Sequence, residues 1–315
     1  MPWRSRHRGV DTGRVRHHLL DLSTATRTGV DGTTRQLVLV DDPAPGLGRV
    51  PVVTAHLLGT FRVSIEGVPV DTEASRRVRH LIAYLLTHRR APVHRDVLMN
   101  VFWPNATPAA ARNNLHVTLS ALRQVLRAAG PHAVVERRFD AYRIGGQAAV
   151  WTDMEQFERL CDAGAQAERY GDGAAARHSY EAAGQLYEGD LLAEEPYLEW
   201  AAPIRETLRL TAIATQIRLV DSYLDRDDPA SAATVARRVV AMDPCNELAH
   251  RQLMRCYAAL DQRHLALAQY SRMTGLLWTS LRVAPSVETT ALFQRLRQPG
   301  GRAAGWHGPS RRVAS

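Results

Sequence analysis

The feature that most restricts the fold of this chain is a long amphipathic helix predicted between Thr107 and Ala129. Thr107 is a typical N-cap residue, and Pro108 falls at the first helical position, where proline is favoured. Leucines at i, i+4, i+7 and i+11 form a single apolar stripe, made of Leu115, Leu119, Leu122 and Leu126. Gly130-Pro131 then ends the helix. A single stripe predicts a helix that packs on neighbouring elements along one side and leaves its other side free.

The segments around this helix predict the strands, helices and hairpin of a winged helix-turn-helix. Alternating apolar residues and turn signals mark the strands, and apolar patterns with the helical period mark the helices. In chain order the predicted elements are a β-rich stretch at 56–65, a turn at Glu66-Gly67, a short strand at 68–70, a helix at 76–90, a short helix from His94 to Trp103, the long helix, and a β-hairpin at 134–144 that turns near Phe139-Asp140. In such a fold the long helix enters the major groove of DNA.

The polar residues beside the leucine stripe have side chains that suit DNA. They are Arg112, Asn113, Asn114, His116, Thr118, Ser120, Arg123 and Gln124. Arginine pairs with guanine, and asparagine makes a bidentate contact with adenine. His116 either hydrogen-bonds a base or phosphate or is simply exposed. The predicted hairpin adds three arginines, Arg137, Arg138 and Arg143, which could follow the backbone or reach into the minor groove.

The charge balance agrees with an acidic partner but adds little weight. The chain has 40 arginines and no lysine, and its formal net charge is +8. The planar guanidinium fork suits phosphate oxygens and the acceptor edge of guanine. Net charge by itself says little about fold and favours an acidic partner only mildly.

Beyond Thr152 the pattern is helical throughout. The predicted helices cover 153–169, 174–187, 197–226, 230–241, 246–260, 264–281 and 286–297. Within 231–273, small residues at the expected helix crossings and a proline after a helix, as in Met242-Asp243-Pro244, are typical of stacked helical hairpins. The predicted fold class is mainly α with a small β component, a winged helix-turn-helix followed by a tetratricopeptide-like all-α helical-repeat domain.

Composition divides the chain into four parts. We expect residues 1–50 to be a largely disordered basic extension and linker, and residues 299–315 to be a disordered tail. Residues 51–147 are expected to form the winged helix, and residues 150–298 the helical domain. The basic extension either contacts DNA phosphates or is a solvated segment without a function.

The sequence argues against catalysis, cofactors and membranes. A Walker A loop requires lysine, which the chain lacks, and no HExxH, GxSxG or GxGxxG motif occurs. The 13 histidines and Cys161, Cys245 and Cys256 show no metal-ligand spacing, and Glu194-Glu195 is expected to be solvated. No apolar run approaches the ~18 residues that span a bilayer. We therefore expect a cytoplasmic protein that is not an enzyme and has no cofactor or metal.

Several motifs, taken in their order and spacing, resemble a known family. In the first half they are Leu57-Leu58-Gly59, Leu98–Trp103, Ala111–Arg123 and Tyr142-Arg143-Ile144, and in the second half Asp153–Glu158, Gly189–Leu192, Glu199-Trp200, Ala249–Tyr257 and Ala266–Tyr270. The first set resembles an OmpR-type winged helix. Together the two sets, over about 55–297, resemble the Streptomyces antibiotic regulatory protein family, whose winged helix is followed by a bacterial transcriptional activation domain.

This resemblance implies roles for particular residues. Four are expected to face the major groove, namely Asn113, Asn114, Thr118 and Arg123. Trp103 occupies a position where an indole can contact a phosphate, and Arg138 and Arg143 fall on the wing. Arg112 is either a phosphate clamp or a structural anchor. Ala121 is a departure, because the family often has a basic residue near this position.

The resemblance also implies partners. We expect the protein to bind double-stranded DNA at direct repeats as a homodimer and to recruit RNA polymerase through its sigma or alpha subunit, with the 104–108 loop as the expected contact. The regulated genes could include those of secondary metabolism. The helical domain would provide dimer contacts, polymerase contacts or effector sensing. The alternative is a helical-repeat scaffold that binds proteins and has no specific affinity for DNA.

Overall fold

The computed structural model describes residues 52–73, 75–129, 134–145 and 148–298. The predictions for 1–50 and for 299–315 lie outside these residues. The strands are β1 (Val52–His56), β2 (Arg62–Ile65), β3 (Val68–Pro69), β4 (Val93–His94), β5 (Val135–Arg138), β6 (Ala141–Ile144) and β7 (Ala149–Thr152). The helices are α1 (Arg76–Thr87), α2 (Arg95–Phe102), α3 (Pro108–Ala129), α4 (Asp153–Arg169), α5 (Gly173–Leu186), α6 (Ala202–Leu224), α7 (Pro229–Met242), α8 (Glu247–Ala259), α9 (Arg263–Leu281) and α10 (Val287–Arg297). The predicted fold class is confirmed.

Two small sheets flank the first three helices. The larger has the order β3-β2-β1-β7, with β1 antiparallel to β2 and parallel to β7. The smaller has the order β4-β6-β5, and β5 and β6 form the predicted hairpin, here called the wing. The β-rich stretch predicted at 56–65 is divided between two strands, because Gly59 has a left-handed φ of 94° and its N–H bonds the carbonyl of Asp190 at 3.0 Å.

The long helix begins and packs as the sequence predicts. The hydroxyl of Thr107 accepts the N–H of Ala110 at 3.3 Å, and Pro108 is the first helical residue. All four leucines of the stripe are buried, with exposed fractions of 3% or less. The stripe lies in one core with apolar residues of α1, including Leu81 and Leu85. This contact fixes which side of α3 faces outward.

The winged helix and the start of the helical domain share that core, which extends from Val53 to Ala212. Strand β7 is part of the N-terminal sheet and runs directly into α4. The carboxylate of Asp153, 2% exposed, accepts the N–H of Leu57 at 2.7 Å and that of Leu58 at 3.0 Å. These bonds connect positions 96 and 95 residues apart, so α4 and β1 are held as parts of one compact body.

Helices α4 to α10 pack mainly on their neighbours in the sequence. Most begin at a side-chain cap, at Thr152, Asp172, Asp228, Asn246 and Ser286. Small residues at the crossings are fully buried, among them Ala232, Ala236, Ala249 and Ala266. The segment predicted as one helix at 197–226 starts instead with a 3₁₀ turn at Glu199–Ala201 before α6. Within the described residues, no helix is both long and apolar enough to cross a membrane.

Candidate nucleic-acid interface

The side of α3 opposite the leucine stripe forms a continuous exposed ridge. Since an α-helix turns by about 100° per residue, Asn113, Val117, Ser120 and Gln124 lie on the side of α3 opposite the stripe. All four are exposed. Val117 is 62% exposed, although it is apolar. We refer to these four residues as the α3 ridge; it is the part of the helix that can enter a groove.

The two sides of the ridge differ in charge. One side carries Arg112, His116, Arg123 and Arg127, of which only Arg123 is half-buried. Arg127 donates to the carbonyl of Arg123 at 3.3 Å, and no ion pair to Arg112 or Arg123 occurs within the described part of the chain. The other side carries Asn114 and Ala121, both half-buried, and has no basic residue. The predicted contact residues are therefore spread over the ridge and both of its sides.

Thr118 does not have the exposed position that the sequence predicts. It is 8% exposed, and its hydroxyl donates to the carbonyl of Asn114 at 2.8 Å. The position lies at the edge of the leucine stripe, between Leu115 and Leu122, and the helix turns it toward the core. Because its only hydroxyl hydrogen is used within the helix, Thr118 is not suited to bind a base.

Trp103, which is expected to contact a phosphate through its indole, is largely buried. It is 8% exposed and packs at 5.8 Å between ring centroids on Phe102. The exposed residue at this place is Arg77, whose guanidinium lies 5.7 Å from the centre of the indole ring. Sequence reasoning missed Arg77 because it belongs to α1, which precedes Trp103 by a whole helix and a strand.

The wing presents one free arginine and two that are engaged. Arg143 is half-buried and pairs with Glu136 across the hairpin at 2.6 Å. Arg137 bonds the carbonyl of Phe139 at 2.8 Å, within a turn whose Phe139 is 93% exposed. Arg138 is exposed and has no ion pair with any described residue. Of the two predicted wing contacts, Arg138 is thus the more available.

Four arginines of α1 and of the turn that follows it pair with the helical domain. Their partners lie in α4 and in the loop before α6, in the pairs Arg76–Glu195, Arg79–Glu194, Arg89–Glu155 and Arg90–Glu158. The hydrogen bond from Arg76 lowers the pKa of Glu195 below its ordinary value, although burial opposes this. Within the described part of the winged helix, the arginines without an ion pair are Arg77 of α1, Arg112, Arg123 and Arg127 of α3, and Arg138 of the wing. No metal-ligating group of three side chains is found within the described residues.

The fold and the surface define the class of protein. In this class a winged helix is joined through a shared core to a chain of helical hairpins. Residues 152–297 match the family model of the bacterial transcriptional activator domain. Together with the relatives below, this confirms the resemblance to the Streptomyces antibiotic regulatory protein family.

Three curated relatives match most of the chain at low identity. The transcriptional regulatory protein EmbR of Mycobacterium tuberculosis is 26% identical over 76% of this chain and 62% of EmbR. The transcriptional regulatory protein MoaR1 of M. tuberculosis is 24% identical over 78% of this chain and 79% of MoaR1. The regulatory protein AfsR of Streptomyces coelicolor is 27% identical over 77% of this chain and 24% of AfsR. The chain thus spans less than two thirds of the length of EmbR.

A solved structure agrees with the fold. M. tuberculosis EmbR in complex with a low affinity phosphopeptide superposes with a TM-score of 0.65 at 23% identity, over 79% of this chain and 66% of that one. The match extends beyond the helical domain, and it supports the combined architecture of winged helix and helical hairpins.

Proposed function

We propose that this protein is a transcriptional regulator that binds double-stranded DNA through α3 and the wing. The observation that carries the proposal is the distribution of charge. Arg76 and Arg79 of α1 are paired with glutamates of the helical domain, whereas Arg77, Arg112 on α3 and Arg138 on the wing are exposed and have no ion pair with a described residue. EmbR and MoaR1, to which the chain is similar, are transcriptional regulatory proteins, which points the same way.

The proposed interface differs from the one expected from sequence. Asn113, Asn114 and Arg123 remain the proposed base-reading residues, because amide and guanidinium groups match adenine and guanine edges. Arg112 and Arg138 are proposed to contact phosphates, with His116 beside them. Trp103 remains a proposed phosphate contact, and we add Arg77 of α1, because Arg77 is exposed and its guanidinium lies over the indole ring. Arg143 acts mainly by holding the hairpin through Glu136.

The finer proposals rest on the family resemblance. We propose that the protein binds direct repeats as a homodimer, activates transcription by recruiting RNA polymerase through its sigma or alpha subunit, and acts in the cytoplasm. Control of secondary-metabolite genes is proposed on the likeness to AfsR of S. coelicolor. Since all the basic residues beside the ridge lie on one side of α3, each copy is expected to bind with modest affinity, and pairing would raise it.

The scaffold alternative is favoured by one surface. Trp278, Leu281, Val283 and Val287 lie close in sequence where α9 ends and α10 begins, and each is at least 46% exposed. Exposed apolar patches mark protein contacts. This surface is compatible with a regulator that also binds a protein.

Selection of duplexes from a random pool by the full chain tests the proposal. A recovered consensus site supports it, and recovery of unenriched sequences contradicts it. Asn114→Ala should relax the choice at one base position, at a cost of about 1–3 kcal/mol. Equal losses on the selected and on random duplexes would remove Asn114 from the base-reading set.

A further inference from the structure

A cavity of about 680 Å³ lies in the helical domain, between the end of α5, the loop that follows it, α6 and the end of α7. Its volume is within the range of about 300–1,000 Å³ that is typical of sites for small organic molecules. Tyr187 and Met242 contribute apolar surface to its lining, and Arg238 contributes a guanidinium. None of the lining residues belongs to the proposed interface with DNA.

Gln216 lines this cavity and is left without adequate hydrogen bonds. It is 4% exposed, and its Oε1 has no hydrogen-bond partner among the described residues. Its Nε2 has only a weak contact with the sulfur of Met242, at 4.0 Å. Leaving a buried polar atom unpaired is costly, and such atoms are rare in native proteins. The amide of Gln216 therefore offers an acceptor and a donor to a bound molecule.

Arg238 gives the cavity an available positive charge. It is exposed and has no ion pair with any described residue. The two acidic side chains of the lining are already engaged, because Glu188 pairs with Arg62 at 3.6 Å and Asp190 pairs with Arg209. A single unpaired guanidinium matches the single charge of a carboxylate.

One wall of the cavity is fixed by hydrogen bonds to the winged helix. The N–H of Gly59 donates to the carbonyl of Asp190 at 3.0 Å, and the N–H of Leu192 donates to the carbonyl of Leu57 at 2.9 Å. Gly189 lies so close to Gly59 that an added Cβ would be 3.4 Å from its Cα. The loop is thus held in the folded chain, and a ligand would not have to order it.

We propose that this cavity binds a small organic acid that has an apolar body and a hydroxyl or N–H group. Arg238 would pair with the carboxylate of the ligand. Oε1 of Gln216 would accept the hydroxyl or N–H hydrogen, and the apolar body would pack on Met242. This site gives the helical domain a ligand-binding role that does not depend on binding of DNA.

NMR of the full chain with isotope-labelled methionine methyl groups provides the test, because the signal of Met242 reports on the cavity. Met242→Leu identifies that signal by its loss. The probes are mandelate, phenyllactate and indoleacetate, and each is compared with its amide, which has a similar shape and no charge. Arg238→Gln removes the cation. Arg237→Gln is the matched control, because Arg237 is exposed on the same helix and does not line the cavity.

We expect at least one acid, at millimolar concentration, to shift the Met242 signal in a saturable manner. It should bind about threefold to fivefold more tightly than its amide, as is typical of an ion pair at an exposed position. Arg238→Gln should abolish this preference, and Arg237→Gln should retain it. Gln216→Leu should weaken the acid about fivefold through loss of one hydrogen bond, and it should not lower thermal stability, because the amide it removes is unpaired.

The inference is overturned if no acid shifts the Met242 signal, or if the acids and their amides bind the wild type equally well. It is also overturned if the preference for the acid survives Arg238→Gln, or if Gln216→Leu binds the acid as tightly as the wild type does. These outcomes leave the proposed function unaffected, because none of the measurements involves DNA.

Discussion

Asp153 is the residue on which the contact between winged helix and helical domain depends most. Its carboxylate accepts the backbone N–H groups of Leu57 and Leu58, and all three residues are 2% exposed or less. Asp153→Ala leaves both N–H groups buried without an acceptor, at about 1–3 kcal/mol each. Burial raises the pKa of Asp153, and the N–H groups oppose it, so removing the charge also relieves some cost. We therefore expect a net loss of about 2–4 kcal/mol in the free energy of unfolding.

Urea denaturation followed by tryptophan fluorescence measures this loss, since Trp200 packs against Tyr84 of α1 with ring centroids 5.0 Å apart. Asp162→Ala is the control, because Asp162 is exposed on the same helix. It should change the free energy of unfolding by no more than about 0.5 kcal/mol. An effect of Asp153→Ala as small as that of Asp162→Ala would refute the reasoning that these bonds hold the two halves together.

Three further predictions follow from local geometry. Gly164→Ala places a Cβ against the ring of Tyr180 and should cost about 1–3 kcal/mol of stability. In Gly184→Ala of α5 the new Cβ meets no atom within 4 Å, so this variant should be stabilised by about 0.5–1 kcal/mol. Thermal unfolding of the two variants measures both changes. The pKa of Glu195 in the folded state is lowered from 4.5, so its ionised form stabilises the fold above that pH, and this stabilisation is lost as the pH falls through the lowered pKa. Glu195→Gln should therefore make the free energy of unfolding depend less on pH in the acid range, as measured by denaturation at several pH values. Arg138→Ala should weaken binding equally on all duplexes and reduce the slope of log affinity against log salt by about 1 for each bound copy, as measured by titration.

Local patterns explain what the sequence predicts well. The cap at Thr107 and the four leucines of α3 are properties of a single helix, and the Glu66-Gly67 turn is a property of a few neighbouring residues. The structure places these features where the sequence predicts them. The separate helices of the second half are predicted for the same reason, since each carries its own cap and its own apolar side.

The features that the sequence did not predict depend on contacts between residues that are far apart in the chain. The bonds of Asp153 join residues 96 positions apart, and the pairing of β7 with β1 brings together the two ends of the winged helix. Thr118 was wrongly expected to be exposed, because periodicity does not resolve the edge of a stripe.

The central claim, that α3 and the wing bind duplex DNA, is tested most directly by titrating the full-length protein with duplex DNA at several salt concentrations. Neutralisation of several phosphates by Arg112, Arg138 and Arg77 requires log affinity to fall linearly with log salt, with a slope of about −0.9 for each phosphate contacted. We expect a slope of about −3 for one bound copy and about −5 for a pair of copies, and a shallower slope when Arg112 and Arg138 are both replaced by alanine. Absence of duplex binding at low salt, or a slope that this double replacement leaves unchanged, would contradict it.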